Sequence, residues 1–511
     1  MLRKTRIAAA AVIFAALTLL FLDFTGTLHR WLDWLAGIQF IPAVLSVHLV
    51  TVALLVTLTL VFGRIYCSVI CPLGIMQDII SWAHGKTARK NRFRFSWSPA
   101  RNVLRYTMLG LFIASIIAGL TSLASLIEPY SAFGRIVSNL FGPLYQWGNN
   151  ALALVAERAD SYAFYSTDVW MKGLSALITA AVTLAVIFIL SWKNGRTYCN
   201  TICPVGTILG LLSRFSLFRI MIDTGKCREC GLCARRCKAS CINMKEGKVD
   251  HSRCVDCFDC LDACSEGAVR YVPVWKKSGD NASGSRGKVS SASGNAGSSD
   301  IRDNGRRAFI TSAAVAVSAA TIKAQEMKLD GGLAEIQDKK VPARKTPLKP
   351  AGSQSFRHFT QHCTACQLCV TVCPQQVLRP SSSLLTFMQP EMSFERGWCR
   401  PECTKCSEVC PSGPIRPVTQ AEKSSIQIGH AVVIYENCVV NTDGVSCGNC
   451  ARHCPSGAIQ MVHSVPGDRE SLRIPVVNPE RCIGCGACEN LCPARPFSAI
   501  YVEGHEVHRT I

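Results

Sequence analysis

The chain has 511 residues, enough for several domains, with 29 cysteines and a net charge of +20. Disulfide-stapled secreted scaffolds are short chains without a core, so this length, with its bilayer-sized apolar runs, excludes that class. The charge does not point to nucleic acid. Much of it sits in Lys86, Arg89, Lys90, Arg92, Arg94, Arg101 and Arg105, between apolar segments, with no nucleic-acid-binding motif beside it.

Four predominantly apolar stretches, about 7–24, 40–62, 106–127 and 172–192, approach the ~20 residues that cross a bilayer. The first follows Arg3, Lys4 and Arg6 like a signal peptide, but no small-x-small site follows Leu22, so it is read as an uncleaved anchor. The loop 63–105 sets eight Lys/Arg against Asp78 alone, whereas 128–170 sets Arg135 and Arg158 against Glu128, Glu157, Asp160 and Asp168. Basic loops stay on the cytoplasmic side. The expected topology therefore has the N-terminus inside, 128–170 outside, and a return to the cytoplasm near Lys193.

A repeat runs through this part. Gly63-Arg-Ile-Tyr-Cys-Ser-Val-Ile-Cys-Pro-Leu-Gly74 matches Gly195-Arg-Thr-Tyr-Cys-Asn-Thr-Ile-Cys-Pro-Val-Gly206. Both copies follow an apolar helix, so residues 1–218 read as a duplicated two-helix unit with two Cys-x3-Cys-Pro turns at one face. Residues 219–273 form a cysteine-dense module. The Gly/Ser/Asn-rich stretch 274–305 is a linker. Residues 306–324 open with Arg306-Arg307-Ala308-Phe309-Ile310 and a soft apolar run, the layout of an internal twin-arginine export signal; an ordinary fifth anchor is the other reading. Residues 325–511 make the last domain, with apolar pieces at Ala431–Tyr435 and Ser498–Val502 that read as small strands. The expected fold class is thus a membrane α-helical bundle of four transmembrane helices plus two α+β ferredoxin-like domains.

The cysteine spacing carries the chemistry. Cys-x2-Cys-x2-Cys-x3-Cys wraps a [4Fe–4S] cubane with three thiolates and lends the fourth to a neighbouring cluster. It occurs at Cys227, Cys230, Cys233 and Cys237; at Cys254, Cys257, Cys260 and Cys264; at Cys363, Cys366, Cys369 and Cys373; and at Cys482, Cys485, Cys488 and Cys492. Two widened variants are Cys399, Cys403, Cys406 and Cys410, and Cys438, Cys447, Cys450 and Cys454. Structural zinc uses separated ligand pairs, often with histidine, so six quartets predict six [4Fe–4S] clusters.

Crossing the fourth ligands joins Cys237 to Cys254, Cys257 and Cys260, and Cys264 to Cys227, Cys230 and Cys233. In the last domain the expectation is an outer pair (363–373 with 482–492) enclosing an inner pair (399–410 with 438–454), with adjacent pairing as the alternative. Cys241 is left over, as a free thiol or a substitute for Cys237. Cys67, Cys71, Cys199 and Cys203 put four thiols at one face, enough for a cluster or a redox dithiol, or else a structural turn. His48 is the one histidine inside an expected span, a quinone contact or a bundle hydrogen bond. No Cys-x-x-Cys-His, Gly-x-Gly-x-x-Gly or P-loop occurs.

On these motifs, residues 1–273 resemble the NapH-type membrane quinol dehydrogenase subunits, and 300–511 resemble the NapG/MauM-type periplasmic ferredoxins, here fused in tandem. The resemblance implies a bacterial inner-membrane, multi-pass protein with 219–305 cytoplasmic and 325–511 periplasmic. It further implies electron flow between the quinone/quinol pool and a periplasmic cytochrome c or reductase, and export by the twin-arginine machinery. Regulators of nitrous oxide reduction and oxidase-assembly ferredoxins share parts of it, so the alternative is an accessory, assembly or regulatory factor for a respiratory metalloenzyme. The sequence offers no cofactor to carry electrons across the ~30 Å of hydrocarbon between the two cluster sets.

Overall fold

The computed structural model describes residues 1–23, 26–87, 95–161, 163–275 and 337–511. Most of the expected linker and all of the twin-arginine segment 306–324 lie outside the described residues. Among the described helices, Leu2–Leu22 and Leu174–Asn194 are long and apolar enough to cross a membrane. Each has 21 residues, about 32 Å at 1.5 Å per residue. The first buries a stripe of Ala10, Leu17, Leu20 and Phe21, while Ile7, Val12 and Leu19 on its other faces stay apolar and exposed. Phe21 meets Tyr130 and Phe133 at ring separations of 5.7 and 6.1 Å, so that stripe is closed by aromatic packing.

The other two expected spans are broken, which corrects the expectation of four continuous helices. The stretch 40–62 forms Phe40–Leu45 and Leu49–Phe62, with Val47 at φ 56° between them. The first piece ends at Ser46, whose N–H and hydroxyl both donate to Pro42 O at 2.9 and 2.8 Å, and the left-handed Val47 then turns the chain out of the helix. The stretch 106–127 ends one helix, Asn102–Ile117, and begins another, Thr121–Ile127. Gly119 at φ 75° closes the first, with Gly119 N–H donating to Ile116 O and Leu120 N–H to Ser115 O. That pair of bonds is a Schellman stop, and glycine is what permits it.

The two repeats fold alike. Each apolar helix stops at a glycine, Gly63 (φ 76°) or Gly195 (φ 66°). A five-residue helix follows, Ile65–Val69 or Thr197–Thr201, and a cysteine–proline step starts the next helix at Pro72 or Pro204. The step is pinned identically, by Cys71 N–H to Tyr66 O (2.9 Å) and Cys203 N–H to Tyr198 O (3.0 Å).

Residues 218–273 pair Phe218–Ile222 with Val269–Pro273, and Ile242–Asn243 with Lys248–Val249, all antiparallel, around two short helices. Beyond 337, Ile426–Val433 pairs with Ile500–Thr510, putting Ala431 opposite Val502; the two apolar pieces seen in the sequence are partners in one ribbon. The small module docks at the start of the first helix, through Arg3 with Asp259 (2.7 Å) and Asp262 (2.9 Å). The C-terminal domain docks at the other end. There Asn139 donates to Gln367 at 2.7 Å, Ser122 to Leu385 O at 3.1 Å, and Gly134 lies against the Cys366 carbonyl. The two cysteine-rich units therefore cap opposite ends of the helical domain.

Candidate iron–sulfur sites and the thiol quartet between them

The four regular Cys-x2-Cys-x2-Cys loops share one backbone device. The residues just before and just after the second cysteine are all left-handed: Glu229 and Gly231, Asp256 and Phe258, Ala365 and Gln367, Gly484 and Gly486. Non-glycine residues seldom adopt that region. Repeating it at the same two places winds each loop around a common centre, and a short helix then carries the third cysteine: Leu232–Arg236, Asp259–Ala263, Leu368–Val372 and Ala487–Leu491. Backbone amides turn inward with it, as Ala365 N–H donates to Cys363 Sγ at 3.4 Å.

The thiols then gather in fours. Cys237, Cys254, Cys257 and Cys260 line one cavity, as the crossed-ligand rule requires, and Cys241 joins them with its Sγ 3.4 Å from that of Cys237. In the C-terminal domain, Cys363, Cys366, Cys369 and Cys410 line a second cavity, and Cys373, Cys399, Cys403 and Cys406 a third. Cys438, Cys447, Cys450 and Cys492 line a fourth. Cys482 and Cys485 have Cys454 as their electrostatic neighbour. The pairing is adjacent, which corrects the outer-and-inner arrangement expected from the sequence. The fourth cysteine leaves its own helix pointed at whichever loop packs beside it, and spacing does not encode that neighbour. Four thiolates around one gap fit a four-iron cubane, whose chemistry when bound is one-electron transfer.

The quartet Cys67, Cys71, Cys199 and Cys203 is buried, with each residue no more than 4% exposed. Its members lie close enough to interact electrostatically with one another. The repeats cross to build it. Arg196 donates to Cys67 O at 2.6 Å, and Arg64 donates to Cys199 O at 3.4 Å, so each copy's arginine grips the other copy's cysteine turn. A side chain at Gly206 would overlap the Cys199 carbonyl, and one at Gly74 the Cys67 carbonyl. Donors also reach the sulfurs: Gln77 Nε2 to Cys199 at 3.3 Å, Gly206 N–H to Cys203 at 3.3 Å, and Arg64 Nη2 to Cys67 at 3.8 Å.

Arg64 is fully buried, and among the described residues it has no carboxylate in ion-pair range. Its Nε has no hydrogen-bond partner. Asp256 acts on it electrostatically from beyond ion-pair distance, and a buried guanidinium without a paired anion is costly, so this donor set fits a negatively charged group held by the four sulfurs. Arg196 is paired instead, with Asp78 at 2.8 Å, and Asp78 also meets Arg6 (3.0 Å) and Lys238 (3.5 Å). Burial favours the neutral acid there, but Arg196 and Lys238 hold Asp78 well below the usual carboxylate range.

The module touches this core directly, and the C-terminal unit is linked to it through one intervening helix. On the module side, Ser252 O accepts from Arg64 (3.0 Å) and Arg105 (2.8 Å), Lys238 O accepts from Arg196 N–H (2.9 Å), and Asp256 lies against Gly63. Burial pushes Asp256 up to about 6. On the other side, Tyr198 OH donates to Ile127 O at 2.8 Å, next to Glu128, which caps Pro129–Ile136 through the Tyr130 and Ser131 amides. That capped helix carries Gly134, and a Cβ there would stand 2.5 Å from Cys366 O. The order in space is module thiols, helical-domain quartet, capped helix, C-terminal thiols.

His48 does not join this core. It stands exposed at the break before Leu49–Phe62, away from the four thiols. The sequence reading missed Arg64 and Arg196 as site residues, although the repeated Gly-Arg-x-Tyr-Cys printed both. Asp78, Gln77 and Lys238 carried no comparable signal.

A 4Fe-4S binding domain model matches residues 47–91 and 176–222, the two repeats, and a 4Fe-4S dicluster domain model matches 445–495. A protein of Methanocaldococcus jannaschii with no assigned function is 34% identical over 103 residues, 20% of this chain, and the match spans 41% of that relative's length. The ferredoxin-type protein NapH of Haemophilus influenzae is 26% identical over 46% of this chain and 71% of its own. The ferredoxin-type protein NapF of Escherichia coli is 27% identical over 35% of this chain and all of its own. No solved structure matches. The chain therefore carries 4Fe-4S ferredoxin-type domains and is similar to the ferredoxin-type proteins NapH and NapF.

Proposed function

We propose that this ferredoxin-type chain is a membrane-bound relay that takes electrons from quinol and delivers them to a one-electron acceptor outside the inner membrane, such as a c-type cytochrome or a reductase. In this reading the cysteine module 219–273 is cytoplasmic, residues 325–511 are exported by the twin-arginine machinery, and six [4Fe–4S] clusters fill the six ferredoxin-type quartets. The quartet Cys67, Cys71, Cys199 and Cys203 holds a further redox group between them. One observation carries it: two thiol-rich units cap opposite ends of the helical domain, and a buried four-thiol site lies between, in contact with the module through Ser252 and Lys238 and linked to the C-terminal unit through Tyr198, Ile127 and the helix Pro129–Ile136.

The residues present support that role. The central thiols are screened from water, so a group held there is shielded from side reactions. Arg64 supplies a buried positive charge, which favours an electron arriving there. At the module's outer edge Cys230 is exposed and Cys227 half-buried, which suits a port for a soluble partner.

The test uses full-length protein purified anaerobically in detergent. Its clusters are reduced, the reductant is removed, and a menaquinone analogue is added while the visible iron–sulfur band is followed. Rapid reoxidation is expected, with slower equilibration between the two cluster sets when Cys67 and Cys199 are replaced by Ser. If quinone leaves reduced clusters untouched while a cytochrome oxidises them, quinol coupling is lost, and the assembly or regulatory reading takes its place.

A further inference from the structure

One cavity among those found is not a cluster site. It has a volume of about 440 Å³ and lies where the end of the first helix, the turn around Ser138–Gln146, the segment 165–172 and the loop carrying Cys373 come together. The four cavities described above are each lined by four thiols or more; this one has a single cysteine in its wall, Cys373, which belongs to the neighbouring Cys399, Cys403 and Cys406 set. Its volume falls in the ~300–1,000 Å³ range of small-molecule sites.

The wall is mixed, with aromatic rings facing polar side chains that include Gln146, Asp168 and Gln376. Phe21, Tyr165 and Trp170 supply rings. The indole of Trp170 is held by the Arg396 guanidinium 5.4 Å from its centre, and Arg396 is itself paired with Asp168. Lys172 lines the cavity and makes no hydrogen bond or ion pair among the described residues. Ser138 lines it too; its hydroxyl is buried and has no hydrogen-bond partner. Ser138 belongs to a π-helical turn, Val137–Phe141, a local irregularity that recurs at functional sites. The approach is apolar: Leu144, Tyr145 and Trp147 beside the lining, and Met171 between Trp170 and Lys172, are all exposed.

We infer that this cavity is the quinol site, with the flat ring of a hydroquinone against Trp170 and its two oxygens met by Lys172 and Ser138. The inference rests on the quinol reading above and gives it a location. A ligand that arrives through an apolar mouth, meets a cation and a hydroxyl, and abuts a cluster ligand has the chemistry of a lipid-soluble redox carrier. The step balances without another reactant: the hydroquinone loses two electrons and two protons and leaves as quinone. The electrons pass singly to the group held by Cys373, Cys399, Cys403 and Cys406, and thence to the one-electron acceptor. The protons leave through the open side of the cavity. Lys172 and Ser138 are binding groups here, and Trp170 is the stacking surface.

The experiment uses the full-length protein in lipid nanodiscs. An azide-bearing menaquinone analogue is photolysed on it and the adducts are mapped by mass spectrometry, while binding of unlabelled analogue is measured by tryptophan quenching. Adducts within 138–147 or 165–172 are expected. Lys172→Met should weaken binding about ten-fold, and so should Ser138→Phe, which fills the cavity; the iron content and resonance spectrum should stay those of wild type. Adducts mapping elsewhere, or an affinity within two-fold of wild type in both variants, overturn the site. If quinol still reduces the clusters in that case, the quinol reading survives without this cavity. If label and affinity map here but quinol never reduces the clusters, the cavity stands as a quinone-binding site and quinol oxidation falls.

Discussion

Replacing Arg64 by Met should lower the reduction potential of the group held by Cys67, Cys71, Cys199 and Cys203. The guanidinium comes within 3.8 Å of Cys67 Sγ, and no carboxylate lies in ion-pair range of it among the described residues. An electron added to a four-sulfur site spreads over its centre, at about 6 Å from that charge. At an effective dielectric of ~20 the attraction is about 3 kcal/mol. One-electron transfer converts ~1.4 kcal/mol to about 59 mV, so the loss is about 120 mV. The assay is a redox titration of the full-length protein followed by electron paramagnetic resonance. The central signal is identified as the one missing from Cys67→Ser. Arg64→Lys keeps a charge and should retain most of the potential. A shift below about 30 mV in Arg64→Met, with iron content unchanged, would refute the claim that this arginine neutralises the site. A Cys67→Ser spectrum identical to wild type would refute the redox group itself.

Gly206→Ala should destabilise the helical domain by about 1–3 kcal/mol, because the new methyl overlaps the Cys199 carbonyl and crowds Arg64; a lowered midpoint in thermal unfolding is the readout. Cys410→Ser should abolish the same resonance signal as Cys366→Ser and leave that of Cys399→Ser in place, since adjacent quartets exchange their fourth ligands. His508 gives an acid-labile edge to the ribbon Ile426–Val433/Ile500–Thr510. Burial, helped by His505, lowers it to about 4, so between pH 6.5 and 4 the unfolded chain binds the extra proton and stability falls as pH drops. The loss is on the order of 3 kcal/mol. His508→Asn should flatten that part of the wild-type stability profile; an unchanged slope would place the acid sensitivity elsewhere.

The cluster loops were the most legible part of the sequence, because three thiols at two-residue spacing leave the backbone little choice. Their left-handed residues, Asp256 and Phe258 or Ala365 and Gln367, are a consequence of that winding and have no signature of their own. The duplicated Gly-Arg-x-Tyr-Cys stretch announced two equivalent turns, and the structure makes them equivalent down to the Cys71 and Cys203 amide bonds. Their reciprocal grip stayed hidden, since it depends on how two copies meet. Hydropathy overestimated helix continuity: apolar windows at 40–62 and 106–127 look unbroken, but the left-handed Val47 and Gly119 end helices without changing the average. Cluster pairing was misjudged for a related reason, because Cys373 and Cys410 go to a neighbour chosen by packing. Lys172, Ser138 and Trp170 come from three sequence contexts with no motif among them, so only the fold could bring them to one cavity.

The crossed arginines also dictate an order of events during biogenesis. Arg64 reaches across 135 residues to Cys199, and Arg196 back across 129 to Cys67. Neither half of the chain can finish its own turn, and a nascent polypeptide that has emerged only to the first Cys-x3-Cys-Pro has two thiols and an orphaned guanidinium. On the proposed reading, loading of a redox group at the centre would wait until the second copy has threaded into position. A truncated product would then offer only two of the four thiols, which would turn completion of the helical domain into a checkpoint for maturation.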